Sequence, residues 1–404
     1  MNDPKLSELV AEIRAIAADL KINPAELTRA RFREVSPLGT SRFAGHHWGQ
    51  AKALASGDAL PLSAVPEGHV VKGVSTLIGK DGRTKNQWVK TQALAEDPTE
   101  MILHLAERLE AAITPKDPAP EPAGGLEDVA DLLAVYPLGD MHLGMYAAAR
   151  EAGDAWDTAA AMKIARSAIS DLTEHGPPAA HGLLINVGDF FHSDNPQNRT
   201  AKSGNPLDVD GRYFEIMEKG LELKTDMIDR MLTVHRTVRV WVRLGNHDEQ
   251  SSLGLAIALR AYYRNDPRVL VEINPAPADY LRWGNCLIGC THGDTYAANK
   301  PNQMVAIMAN DRPQDWGQTL YRYWYVGHVH HKNKRGAQAD QPGTQSEGTG
   351  AIVETFRTLA AKDAWHTAQG YRAGRDMNRI LLHKLDGEVS RITTSVGRLR
   401  RLYA

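Results

Sequence analysis

Residues 182–192 read GLLINVGDFFH, and residues 238–248 read VRVWVRLGNHD. Each is a short apolar run that stops at a glycine followed by a polar ligand-type residue. Such a run, rich in Val, Ile and Leu and closed by glycine, reads as a strand buried on both faces. The construction recurs at 132–144 (LLAVYPLGDMHLG), 286–294 (CLIGCTHGD) and 323–330 (YWYVGHVH). A further run, RVLVEI at 268–273, lacks the polar ending. Between these runs, stretches near 157–175, 211–235, 253–263 and 302–310 have helical periodicity. Strands alternating with helices predict an α/β fold. The segment 331–350, HKNKRGAQADQPGTQSEGTG, is polar and predicts no element of its own.

Outward from this region, TPKDPAPEPAGG (114–125) holds four prolines and two adjacent glycines, which read as a semi-stiff linker. The expected organisation is an N-terminal domain over 1–113, a linker over 114–127 and a larger domain over 128–404. The first domain opens with a helix near 6–20, where Leu6, Leu9, Val10, Ile13, Ile16 and Leu20 share one face. Asn23-Pro24 then caps a second helix carrying Arg29, Arg31 and Arg33, and 41–56 forms a third. Short helices and tight turns predict a helix-turn-helix-like unit. VVKGVSTLIGKDGRTKNQWVKTQ (70–92) reads as two strands about a Lys80-Asp81-Gly82 turn, a wing beside those helices. Residues 21–90 carry eleven Lys/Arg against five Asp/Glu, so DNA contact and an ordinary solvated basic face both fit.

The 404 residues allow two or three domains. A formal charge of −2 decides nothing about nucleic acid. Cys286 and Cys290 are the only cysteines, which excludes a disulfide scaffold and fits a reducing cytoplasm. No apolar run approaches the roughly 20 residues that span a bilayer. The N-terminal MNDPKLSELV has no secretory pattern. Sixteen histidines are the unusual count, and many stand at the strand ends.

Asp140, His142, Asp189, Asn246, His292, His328 and His330 offer carboxylate, amide and imidazole donors. Mixed N/O sets suit Mn, Fe or Zn, whereas Mg and Ca favour oxygen alone. Seven donors exceed one tetrahedral shell and fit two ions about 3.5–4 Å apart sharing a carboxylate. In D-x-H and H-x-H the two residues point the same way at a strand end, so both can enter one cavity. Any one motif alone is an ordinary turn or surface coincidence. Five in order, each after an apolar run, point to a single site. Asp248 is read either as orienting the His247 imidazole or as a plain turn aspartate.

In this order D-x-H, G-D, G-N-H-D, H-G and G-H-x-H resemble the calcineurin-like metallophosphoesterases, over about residues 132–330. The resemblance implies a four-layer sandwich of two mixed sheets flanked by helices, with a dinuclear metal centre at the loop ends. Carried over residue by residue, Asp140, His142, Asp189 and His330 would hold one metal. Asp189, Asn246, His292 and His328 would hold the other, with Asp189 bridging. His247 would sit beside the scissile phosphate as general acid or electrostatic stabiliser. Asp-Met-His-Leu-Gly and Gly-Asp-Phe-Phe-His are similar to forms typical of the SbcD-type DNA repair nucleases. By that likeness His192 is an active-site histidine that orients phosphate or nucleophile, against a plain core histidine beside Phe190 and Phe191. Three features depart from it: Met141 replaces a small hydroxyl residue, the interval from Asp189 to Asn246 is long, and the basic N-terminal region has no counterpart. The segment 357–378 resembles phosphoesterases encoded by phages and prophages.

The expected activity is therefore metal-dependent hydrolysis of DNA phosphodiesters, with manganese first among the ions and DNA as the partner. Arg391, Arg398, Arg400 and Arg401 in the tail support DNA contact. Tyr321, Tyr323, Trp324 and Tyr325 could stack on bases, although alternate positions belong to a buried strand. A phosphatase acting on small nucleotides or phosphoproteins, and a DNA-binding accessory protein with a vestigial site, are the competing readings. A homo-oligomer is compatible with the sequence, and no membrane partner is expected.

Overall fold

A computed structural model describes residues 4–36, 38, 42–56, 69–78, 84–93, 113–122, 124–200, 204–296, 300–330, 333–337, 350–362, 367 and 373–403. The chain divides into two compact units, Met1–Met101 and Ile102–Ala404.

In the first unit, α1 (Pro4–Asp19) buries Leu9, Ile13 and Ala17 on one stripe. Asn23 caps a single 3-10 turn, Pro24–Glu26, with a capping box through Glu26. The second α-helix starts later than its sequence suggests: α2 (Arg29–Val35) is capped by Thr28, whose hydroxyl accepts from Arg31 N–H at 3.2 Å. Pro24 can begin a turn, but the chain leaves helical geometry at Leu27, which is buried beside Phe32. A third α-helix, α3 (Arg42–Ser56), sets Trp48 against Phe32 at 4.9 Å between ring centroids with the planes tilted by 47°. Strands β1 (His69–Ile78) and β2 (Thr84–Ala93) pair antiparallel. The Lys80-Asp81-Gly82 turn lies outside the described residues.

The second unit holds two sheets. The strands are β3 (Leu132–Leu138), β4 (His181–Asn186), β5 (Thr237–Val242), β6 (Val269–Glu272), β7 (Asp279–Trp283), β8 (Cys286–Thr291), β9 (Tyr321–Val326), β10 (Asn333–Ala337), β11 (Ala351–Thr355), β12 (Asp376–His383) and β13 (Gly387–Ser395). One sheet runs β13-β12-β3-β4-β5-β6, and the other β10-β11-β9-β8-β7. Within the first, β3 to β6 are parallel and β12 joins β3 antiparallel. Both sheets are mixed. Helices α4 (Thr158–His175), α5 (Tyr213–Leu232) and α6 (Glu249–Tyr262) cover the outer face of the first. Helix α7 (Pro301–Asp311) covers the outer face of the second. The terminal helix α8 (Val396–Leu402) adds Val396 and Leu399 to the first helical layer.

Strand alternation builds the layers. Leu133, Val135, Leu183, Ile185, Cys286, Ile288, Tyr323 and Tyr325 fill the space between the sheets, whereas Ala134, Tyr136, Leu287, Trp324 and Val326 face helices. Cys286 and Cys290 are buried thiols of this inner layer. The stretch 331–350 departs from expectation. Residues 333–337 form edge strand β10, held by β11 through backbone pairing that needs no apolar pattern. The segment 114–122 lies along the second unit: Lys116 N–H donates to Tyr262 O at 2.8 Å, and Ala119 N–H to Asp266 Oδ2 at 3.1 Å. No helix among the described residues is long and apolar enough to cross a membrane.

Ile288 is fully buried between the sheets. Ile288→Ala should lower unfolding free energy by about 2–5 kcal/mol. Urea unfolding should show a lower midpoint with an unchanged slope.

Candidate metal centre

The polar loops leave the sheets from neighbouring strand ends. β3 runs into Asp140 and His142, β4 into Asp189 and His192, and β5 into Asn246, His247 and Asp248. From the second sheet, β8 delivers His292, and β9 delivers His328 and His330. Sites in such sheets form outside the carboxyl ends of the parallel strands, and this one does so from two sheets at once.

All seven candidate ligands meet there. Asp140 Oδ2 lies 3.3 Å from His330 Nε2, and Asp140 Oδ1 lies 3.7 Å from His292 Nδ1. His142 Nε2 and His330 Nε2 are 3.2 Å apart. His292 Nε2 lies 3.2 Å from Asp189 Oδ2 and 3.0 Å from Asn246 Oδ1. The His292 and His328 rings are 5.1 Å apart. Two groups of donor atoms each fall within 4.8 Å: His142, His192 and His247, and Asp189, His292 and His328. The second group comprises three of the four residues that the resemblance assigns to the second ion. The first gathers His192 and His247 around His142 on the side where the other ion would lie.

The donors fit divalent ions. Both carboxylate oxygens of Asp140 are buried and take no side-chain hydrogen bond, with the His330 and His292 imidazoles 3.3 and 3.7 Å away. A buried carboxylate left in that condition is costly, and a cation relieves the cost. Burial raises the Asp140 pKa to about 7. Asp189 is also buried, but the charge and hydrogen bond of His292 lead the interactions that outweigh burial and hold its carboxyl well below the usual range. Burial depresses His292 too, yet Asp189 and Asp140 overcome it and lift its pKa to about 10. His142 is driven well down by burial and by its histidine neighbours, so it is a neutral donor. Buried carboxylates beside neutral imidazoles form the donor set a hard-to-borderline divalent ion prefers.

The backbone is bent to aim these groups. Among the described residues six non-glycine positions have positive φ, and four belong to the site: His142 (44°), Asp189 (46°), His328 (66°) and His330 (52°). Such strain, about 1–3 kcal/mol each, persists where the surroundings over-determine it. Two glycines permit the close approach of loops. A Cβ on Gly245 would come 2.1 Å from Asp189 Oδ1, and one on Gly327 would come 2.5 Å from Asp140 Oδ1.

Imidazole orientation follows from carbonyl acceptors. A carbonyl oxygen only accepts, so Nδ1–H of His292 donates to Val187 O at 3.0 Å and turns Nε2 toward Asp189 and Asn246. Likewise Nδ1–H of His247 donates to His192 O at 3.1 Å, leaving Nε2 for the cavity. The backbone N–H of His247 donates to Asp189 Oδ1 at 2.8 Å, which joins the two loops. The rings of His192 and His247 stack at 5.8 Å, and His192 Nδ1 lies 3.4 Å from His142 Nδ1.

Asp248 does not orient the His247 imidazole. Its buried carboxylate accepts Phe191 N–H at 2.9 Å, Gly245 N–H at 3.0 Å and the Ser252 hydroxyl at 2.6 Å. It is a clamp between the β4 and β5 loops. Burial, then the nearby Asp189, raises its pKa to about 6. Two further anchors carry no motif. Thr358 Oγ donates to Asp140 O at 2.5 Å, and Asp194 Oδ1 accepts from Ser251 N–H at 2.7 Å. Neither was legible, because a lone Thr or Asp in a loop has no spacing to betray it.

No protein-family model matches the chain, and no curated protein matches it by sequence. Solved structures that resemble it include a conserved uncharacterised protein of Streptococcus pneumoniae described as a predicted phosphoesterase, at 12% identity over 65% of this chain and 98% of that one, TM-score 0.26. Vps29 of Entamoeba histolytica matches at 14% identity over 65% of this chain and 98% of its own, TM-score 0.26. A purple acid phosphatase from yellow lupin seeds matches at 12% identity over 70% of this chain and 56% of its own, TM-score 0.31. At these scores the overlap is loose, and the chemistry of the site stands on its own side chains.

Asp140→Asn keeps the shape of the side chain and removes its charge. Isothermal titration with a divalent ion should show fewer bound ions per chain than the parent, whereas Asp131→Asn, on an exposed side chain outside the site, should bind as the parent does.

Proposed function

We propose that this protein is a dinuclear-metal-dependent phosphodiesterase that hydrolyses DNA, with manganese as the working ion. The observation that carries the metal-dependent reading is Asp140, a fully buried carboxylate that takes no side-chain hydrogen bond and sits amid a ring of histidine donors. Neither cysteine is placed as a nucleophile: both are buried in the inter-sheet core, and burial pushes the Cys286 thiol up to about 12.

Asp140, His142, Asp189 and His330 would hold one ion, and Asp189, Asn246, His292 and His328 the other. When bound, such ions neutralise the non-bridging phosphate oxygens and acidify water toward neutral pH. The chain's own residues do the rest. His292 is kept in the ligating tautomer by Val187 O. His247, with Nδ1–H on the His192 carbonyl, presents Nε2 to the cavity. In its protonated form Nε2–H is the proton donor for the departing alkoxide. Stacked beside it, His192 narrows the directions from which phosphate can approach.

Support for DNA comes from the DMHLG and GDFFH forms and from the first unit, where Arg33 is exposed on α2 and Arg31 is exposed beside its partner Glu34 at 2.8 Å. Two earlier supports fall away. Of the tail arginines, Arg391 forks onto Glu354 at 2.6 and 2.8 Å, Arg398 onto Asp171 at 3.1 Å, and Arg400 pairs with Asp154 at 2.7 Å. Their charge is spent within the fold. Tyr323, Trp324 and Tyr325 are buried, so the aromatic run on β9 is core rather than a stacking surface.

The test pairs metal removal with substrate choice. Chelation should abolish hydrolysis of bis-nitrophenyl phosphate and of oligonucleotides, and Mn should restore both. His247→Ala should lower kcat roughly 10²–10⁴-fold with metal content intact. Preference for nitrophenyl phosphate with no cleavage of single- or double-stranded DNA would overturn the nuclease reading and favour a phosphatase.

A further inference from the structure

Between the β4 and β5 loops the chain makes a polar excursion, described over 193–200 and 204–210. It leaves from His192 itself and is pinned at both ends to the metal loops. At its start Asp194 accepts Gln250 N–H at 3.0 Å and Ser251 N–H at 2.7 Å, at the first turn of α6 and three to four residues beyond His247. At its end Asp210 N–H donates to Gly144 O at 2.8 Å, and Tyr146 N–H donates to Asp208 O at 3.0 Å. Met145 and Val209 form an antiparallel bridge. The excursion therefore spans from the histidine side of the centre to the loop carrying Asp140 and His142.

Two large aromatic side chains flank its returning end and face solvent. Tyr146, four residues past His142, is 49% exposed, and Phe214, four residues past Asp210, is 54% exposed. Gly144 packs so closely on Ile216 that a Cβ there would come within 2.7 Å of its side chain, which sets the Tyr146 loop against the first turn of α5. Among the described residues only Trp88 and Tyr321 are other exposed aromatics of this size. Neither aromatic fills the core, although the sequence places both beside the site. Arg199 and Arg212 are exposed on the same stretch, with Arg199 Nη1 tied to Gly204 O at 2.7 Å.

We infer that Tyr146 and Phe214 are a stacking rim for nucleobases flanking the scissile phosphodiester, with Arg199 and Arg212 meeting the neighbouring phosphates. An aromatic face accepts any base, and each stacked base contributes affinity without sequence preference. The rim selects a polynucleotide over a small ester while leaving the chemistry at the ions unchanged. This inference rests on the polynucleotide reading above.

The test uses the full chain loaded with Mn, a single-stranded oligonucleotide, and bis-nitrophenyl phosphate as a substrate too small to reach the rim. The double variant Tyr146→Ala/Phe214→Ala should raise KM for the oligonucleotide roughly fivefold or more. Its kcat, its metal content and its turnover of the small ester should hold. Tyr146→Phe should behave as the parent, because the ring is kept. Arg199→Glu should raise the same KM and flatten its salt dependence, which gives a readout if the double variant fails to fold. An unchanged KM in both the double variant and Arg199→Glu, or an equal loss on the small ester, overturns the rim while the nuclease reading stands. A parent that hydrolyses the small ester but no oligonucleotide overturns the polynucleotide reading, and the rim falls with it.

Discussion

The second unit is organised around two carboxylates that the fold has taken out of water. Asp140 and Asp189 are both buried, within a few ångströms of the same imidazole. In a low-dielectric interior, two such groups repel each other and each carries a large desolvation cost. Only positive charge held close can compensate. His292 supplies part of it, which is why its pKa is lifted to about 10 despite burial. The remaining donors, largely neutral imidazoles and an amide, bring lone pairs rather than charge. A polar cluster of that composition is stable when cations complete it, so the electrostatic requirement and the proposed chemistry have one origin.

That requirement explains the geometry of the loops. Four of the ligand-bearing positions adopt left-handed backbone, and the loops approach so closely that Gly245 and Gly327 have no room for a side chain. Such conformations hold only when something firm surrounds them. The two packed sheets provide the firmness from below, through an inner layer of fully buried apolar side chains. Asp248 provides it from within, since its three hydrogen bonds lock the β4 and β5 loops to one another. Arg243, buried and paired with Asp279 at 2.6 Å, fastens the end of β5 to the second sheet. The site is rigid because its supports are tertiary, not because its loops are short.

The same distinction separates what the sequence discloses from what it conceals. The buried parallel strands were legible because each is a continuous apolar run stopped by glycine, and the ligands follow at once. Helix α4 was legible from its period, and the structure adds Asp157 as its cap. Hairpin β12–β13 was not read, although Asp386-Gly387 is a turn signal, because its charged residues mask the apolar alternation. Arg379 and Arg391 lie on those strands, and Arg391 is neutralised by Glu354, 37 residues earlier in the chain. No local window contains that partner. Asp248 was ambiguous for the same reason: two of its partners are backbone amides, one of them 57 residues away. Pairings across the fold decided both roles, and spacing along the chain could not.

The tail arginines carry this reasoning to substrate recognition. A count of basic residues treats every Arg as available to phosphate, yet three of the four in the tail are bound into ion pairs that fasten α8 and β13 to the fold. An arginine held by a bidentate carboxylate must break those bonds before it can serve a nucleic acid, and a partly buried pair resists that exchange. Under the proposed polynucleotide reading, recognition would fall to side chains that the fold leaves in solvent near the ligands. On the second unit these are the aromatic and basic residues around 146, 199 and 212–214, which no motif marked and which lie beside the site because the excursion that carries them is tied to it at both ends.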